Sequence, residues 1–99
     1  MWKIKGKEIT MNLGDFGIAL PIKITNVLET DKIMFEIYEI GEGTVINKEL
    51  IFEDEKWFFE LEKEDTEKLK QTDYLYSIKQ YREGVLQNTI NKHSLFKVE

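Results

Sequence analysis

Across residues 16–25 the even positions read Phe, Ile, Leu, Ile, Ile and the odd positions Gly, Ala, Pro, Lys, Thr. Side chains alternate across a β-strand with a period of two, so such a run buries one face and wets the other. Shorter runs repeat the pattern. Ile9, Met11 and Leu13 alternate in residues 8–13, and Ile33, Phe35 and Ile37 in residues 32–40. Trp57, Phe59 and Leu61 alternate in residues 57–61, and Tyr74, Tyr76 and Ile78 in residues 74–82. Residues 45–52 form another strand whose phase the pattern leaves open, and residues 85–89 with 95–98 a last, long or broken one. Turn residues fall between the runs: Gly14 with Asp15, Gly41 to Gly43, the acidic stretch 53–56, and Glu83 with Gly84. Pro21 has no N–H for a ladder, which predicts an edge strand or a bulge there.

The one interruption of strand periodicity is the charged stretch 62–71. Its acids come first (Glu62, Glu64, Asp65, Glu67) and its bases last (Lys68, Lys70), the order a helix dipole favours. Leu69 is its apolar anchor, and a helix this short holds only by docking onto a core. Seven strands and one short helix predict an antiparallel β-sandwich, with a closed barrel as the competing architecture. A helical turn between the fifth and sixth strands is an immunoglobulin-like feature, in which an aromatic ring opening the next strand packs at the corner. Tyr74 and Tyr76 are the candidates. The expected fold is therefore all-β: an immunoglobulin-like antiparallel β-sandwich of about seven strands with one short helix between the fifth and sixth.

Ninety-nine residues make a single domain, 1–99, and 41% hydrophobic content is too high for a disordered chain. The absence of Cys excludes disulfides, thiolate metal sites and Cys nucleophiles, so packing must hold the domain together. A net charge of −5 with scattered lysines argues against nucleic acid, which needs clustered bases. The longest apolar run is three residues, too short to span a membrane as a helix. The basic N-terminal stretch lacks the apolar segment of a signal peptide. The expectation is a chain made in a cytoplasm and kept there or assembled into a particle.

No catalytic, cofactor-binding or metal-binding residue is expected. His93 is the only His and stands between Lys92 and Ser94, with no neighbouring residue suited to orient it as a base. The eight acids between Glu53 and Glu67 lack the alternating spacing and glycine of a calcium loop and read as a solvated face or an acidic docking patch. Gly14 and Gly17 are turn residues, with neither the lysine nor the helix of a phosphate loop. Trp57, Phe59, Tyr74 and Tyr76 belong to the core. Phe58 and Tyr81 fall on the opposite phase, and Trp2 lies outside the first strand, covering a sheet end or gripping a neighbour. These three are the candidate interface residues, since exposed aromatics anchor interfaces. A carbohydrate-binding module using exposed aromatics is the alternative.

Two pieces of the chain, in order, resemble the N-terminal domain of phage upper-baseplate proteins. Leu13, Gly14, Asp15 and Phe16, followed by the alternating residues to Pro21, look like that family's "GDT" turn and first strand, with Phe16 in place of the usual Thr. Glu64, Asp65 and Thr66 with Leu69 resemble its "EDT…L" helical turn, and Tyr74 to Ile78 its "Y-x-Y-x-hydrophobic" strand. Glu83 with Gly84, and Phe96 to Val98, fall where the family has its last hairpin and closing strand. The resemblance implies an immunoglobulin-like virion structural protein of a phage or prophage tail or baseplate. It would act through protein–protein contacts with other tail proteins and as a homo-oligomer, first in the bacterial cytoplasm and then in the virion.

Overall fold

The computed structural model describes residues 2–17 and 19–99. Among these residues nine strands and one helical turn follow in order: β1 (Lys3–Lys5), β2 (Glu8–Met11), β3 (Ala19–Ile22), β4 (Lys32–Glu39), β5 (Gly43–Glu49), β6 (Ile51–Glu53), β7 (Lys56–Glu60), α1 (Lys63–Thr66), β8 (Asp73–Arg82) and β9 (Val85–Val98). They form a six-stranded sheet, β1-β2-β9-β8-β4-β5, and a three-stranded sheet, β3-β7-β6. All neighbours are antiparallel except β2 and β9, which run parallel. The chain crosses between sheets after β2, β3, β5 and β7, the order of an immunoglobulin-like sandwich of the variable type.

The excess of two strands over the expected seven has local causes. Residues 3–5 fold back through Gly6 (φ 62) as an extra strand on the sheet edge. The run 45–52 divides at Leu50, which is buried while its amide donates to the carbonyl of Ile33 at 2.8 Å. The chain changes sheets at this residue. Even positions point inward on both sides of it (Ile46, Leu50, Phe52), and Ile51 points out.

Period-two parity placed most of the core. Leu20, Ile33, Phe35, Ile37, Trp57, Phe59, Leu61, Tyr74, Tyr76 and Ile78 are all buried. Phe35 of the six-stranded sheet stacks on Phe59 of the three-stranded sheet, centroids 3.8 Å apart, and on Tyr76 at 4.8 Å. The interior is thus an aromatic stack joining both sheets, in which each ring buries a large apolar area. Pro21 lies in β3, an edge strand, as its missing N–H requires.

Two inward assignments are corrected, the first being Leu13, which lies beyond β2 and is exposed. Phe16 is half exposed rather than core, because Gly14 (φ 91) and Gly17 (φ 74) turn the chain and the strand begins only at Ala19. Ile18, assigned to the same inward face, lies outside the described residues. The charged stretch holds the expected short helix, a single turn over Lys63–Thr66, with Leu69 buried just beyond it. Of the two forms left open for the last strand, long or broken, the structure has the long one, from Val85 to Val98, its register against β8 shifting at three places.

Candidate functional site

The corner between β7 and β8 shows what the charged insert is for. The Glu62 amide donates to Asp65 Oδ2 at 2.9 Å, the Thr66 hydroxyl donates to the Lys63 carbonyl at 2.8 Å, and Lys70 N–H donates to the Tyr74 hydroxyl at 2.9 Å. That last bond is the tyrosine corner of immunoglobulin-like domains, and Tyr74 rather than Tyr76 makes it. The Tyr76 hydroxyl instead donates to the Lys7 carbonyl and ties the β1–β2 turn to β8. Asp65 also meets Lys48 Nζ of β5 at 2.9 Å, so it joins the corner to the six-stranded sheet. Burial pushes the Asp65 carboxyl up, but the Lys48 ammonium and the Glu62 amide outweigh it and hold it below the usual range. Asp65 therefore acts by cross-linking sheets as well as by completing a helix dipole.

A second buried carboxylate went unmarked in the sequence. Asp31 opens β4, and Arg82 of β8 grips it with Nε and Nη2, both at 2.9 Å. Gln80 Nε2 and the Leu28 amide donate to it as well, at 2.8 and 2.9 Å. The Arg82 guanidinium first, then the Leu28 amide and Gln80, hold the Asp31 carboxyl far below the usual carboxylate range. Every partner is structural, and the cluster closes one end of the sandwich.

His93 sits at a bulge of β9 with φ 48, and its Nδ1 pairs with the Tyr38 hydroxyl. The two flank a shallow depression of about 410 Å³ that also involves Glu36, Ser77, Lys79, Thr89 and Lys92. Among the described residues no three of His, Cys, Asp and Glu converge as a metal site. No helix among them is long and apolar enough to cross a membrane.

The three candidate interface residues occupy three different places. Trp2 is half-buried, edge-on to Phe59 and Phe96 with centroids at 6.0 and 5.8 Å, and covers the margin of the core. Its indole Nε1 is buried without a hydrogen-bond partner. Phe58 lies on the outer face of the three-stranded sheet, in register with Pro21 on one side and Ile51 on the other. Tyr81 lies on the outer face of the six-stranded sheet, between Lys32 and Leu86. Tyr38 shares that face, but it stands opposite Leu75 while Tyr81 stands opposite Lys32. Six residues of strand, roughly 20 Å, separate the two rings, too far for one sugar to stack on both.

The outer faces also differ in charge. Around the Pro21–Phe58–Ile51 row lie Glu53, Asp54, Glu55 and Glu60 against Lys23 and Lys56. On the six-stranded sheet, strand parity turns outward Lys3, Lys5, Lys32, Lys79, Lys92 and Lys97 against Glu8, Glu36, Glu49 and Asp73. Three of those acids pair there at 3.9–4.0 Å, Glu49 with Lys32, Glu36 with Lys79 and Glu8 with Lys97. The three-stranded face is net acidic, while Glu83 beside Tyr81 and Lys32 brings the six-stranded face close to neutrality. Comparison of the chain with protein-family models, with curated proteins and with solved structures returns no match.

Proposed function

We propose that the chain is a non-catalytic protein-interaction module, a structural component of phage or prophage tail or baseplate type. The observation that carries this reading is the make-up of the two outer sheet faces. Each presents a half-buried aromatic (Phe58 or Tyr81) among exposed aliphatics such as Ile51 and Leu86, with charges around it. An apolar centre within a polar rim is the anatomy of a docking surface. The titratable groups with altered acidity serve the fold, Asp31 through Arg82 and Asp65 through Lys48. The ordered Gly14-Asp15, Asp65-Thr66 and Tyr74-Leu75-Tyr76 set supports the tail or baseplate context by resemblance. Assembly in the bacterial cytoplasm followed by incorporation in the virion belongs to the same reading.

The test is binding of the purified chain to the tail proteins encoded beside it, followed by size-exclusion chromatography with light scattering. Co-elution with at least one of them is expected. Failure to bind any of them, together with a strictly monomeric state at high concentration, would refute the reading.

A further inference from the structure

We propose that the cleft opening between the two sheets beside β3 binds a single-chain anionic amphiphile, a medium-chain fatty acid. The site is separate from the outer faces and does not depend on the assembly reading. Ile4 pairs with Ile9, so both side chains turn toward the three-stranded sheet, yet Ile9 is buried and Ile4 is 48% exposed. The smaller sheet ends at β3 and leaves this part of the inner face uncovered. The result is a cleft of about 340 Å³ walled by Ile4, Ile9, Ile22, Ile78 and Ile90. Its polar side chains Tyr76 and Asn91 are already engaged. The Tyr76 hydroxyl donates to the Lys7 carbonyl and accepts from Asn91 Nδ2 at 3.2 Å, while Asn91 Oδ1 accepts from Ser94 Oγ at 2.6 Å. The walls therefore ask an occupant for apolar surface rather than hydrogen bonds.

Lys7 in the β1–β2 turn and Lys23 just past β3 line the same cleft from opposite sheets, and among the described residues no carboxylate lines it. Neither ammonium forms an ion pair with a described residue. Glu8, beside Lys7, points to the other side of β2 and meets Lys97 at 3.9 Å. Glu55 borders Lys23 in a separate depression, where Lys56 offsets it. Apolar walls with two unpaired cations fit a hydrocarbon chain that carries an anionic head. Size selects one chain, because the volume sits at the low end of the roughly 300–1,000 Å³ range of small-molecule sites. An added peptide strand fits poorly, since β3 is four residues long and Pro21 brings no N–H. A second copy placed by a two-fold axis would set Lys7 and Lys23 against their own images.

The experiment titrates the whole chain with octanoate, butyrate and octylammonium, reading isoleucine methyl shifts by NMR. Octanoate is expected to saturate shifts at Ile4, Ile22 and Ile90 below about 1 mM. Each buried methylene is worth about fourfold in affinity, so butyrate should bind roughly a hundredfold more weakly. Octylammonium keeps the chain and reverses the charge, and should bind about tenfold more weakly than octanoate. Lys7→Gln with Lys23→Gln should narrow that gap to about twofold. Ile4→Glu, at an exposed position in the cleft, should abolish octanoate binding. Ile90→Trp, which fills the cleft, repeats the block if Ile4→Glu fails to fold. The proposal is overturned if octanoate leaves these methyls unmoved at about 1 mM, or if its binding survives the blocking variant. Octylammonium binding as tightly as octanoate, or a gap that persists without the two lysines, overturns it as well. So do shifts centred on the outer faces, or shifts of the same methyls with protein concentration alone, which would place a second copy in the cleft.

Discussion

Replacing Leu69 by Ala tests whether the β7–β8 corner is bolted to the core or merely passes over it. Leu69 is 5% exposed and belongs to the central cluster with Phe59, Leu61 and Tyr74. The substitution removes three carbons, a transfer loss of about 2.4 kcal/mol at about 0.8 kcal/mol for each. The backbone around the site is held by the Lys70–Tyr74 and Lys48–Asp65 contacts, so the hole closes only in part. A residual cavity of roughly 40 Å³ adds about 1 kcal/mol at about 24 cal/mol per Å³. The expected loss is therefore about 3 kcal/mol, out of roughly 5–15 kcal/mol for a chain of this size. At about 4–8 °C per kcal/mol, the thermal midpoint should fall by roughly 12–24 °C. Urea unfolding followed by tryptophan fluorescence reads the change directly, because Trp57 is buried and Trp2 covers the core margin. The midpoint should drop with an unchanged slope, since the unfolded surface is nearly the same. A loss below about 0.5 kcal/mol would show that the corner rides on solvent and that Leu69 anchors nothing.

Tyr74→Phe should cost about 1–2 kcal/mol and speed hydrogen exchange at the Lys70 amide, which loses its acceptor; an unchanged Lys70 rate would contradict the corner bond. Glu55→Gly should stabilise by about 0.5–1 kcal/mol in thermal melts. Asp54 and Glu55 both hold positive φ (51 and 62) in the two-residue β6–β7 turn, and a left-handed residue other than Gly is strained; a lower melting temperature would refute this. Asp31 has its folded acidity strengthened by Arg82, so its contribution is present above the ordinary carboxylate range and is lost as the pH falls through that range toward the folded value. Asp31→Asn should lower stability at neutral pH and flatten the acid limb of the stability profile; acid limbs of the same steepness for the two proteins would exclude the role.

Residues whose burial follows from local alternation were legible in the linear chain. Ile33, Phe35 and Ile37 must share a face in any strand, and that face must be the apolar one. Leu69 was legible for the same reason, as the lone apolar side chain in a polar stretch. Phe16 was not, because the same alternation extends across Gly14 and Gly17, and a turn overrides it without changing the letters. Phe58 and Tyr81 were identified by phase as pointing away from the core. Their placement on opposite outer faces depended on which sheet each strand joins.

The sequence by itself determined the element type, the inward face of most strands, the restriction of Pro21 to an edge or a bulge, and the docked turn before Tyr74. Each is set by interactions within a few residues, or by a missing donor on one of them. The tertiary structure alone decided the sheet change at Leu50, the Asp31–Arg82 and Lys48–Asp65 pairs, and the placement of Phe58 and Tyr81 on opposite outer faces. Asp31 and Arg82 stand 51 residues apart, and only the antiparallel register of β4 on β8 brings them together. Local alternation says which side of a strand is dry, and long-range pairing says what lies across from it.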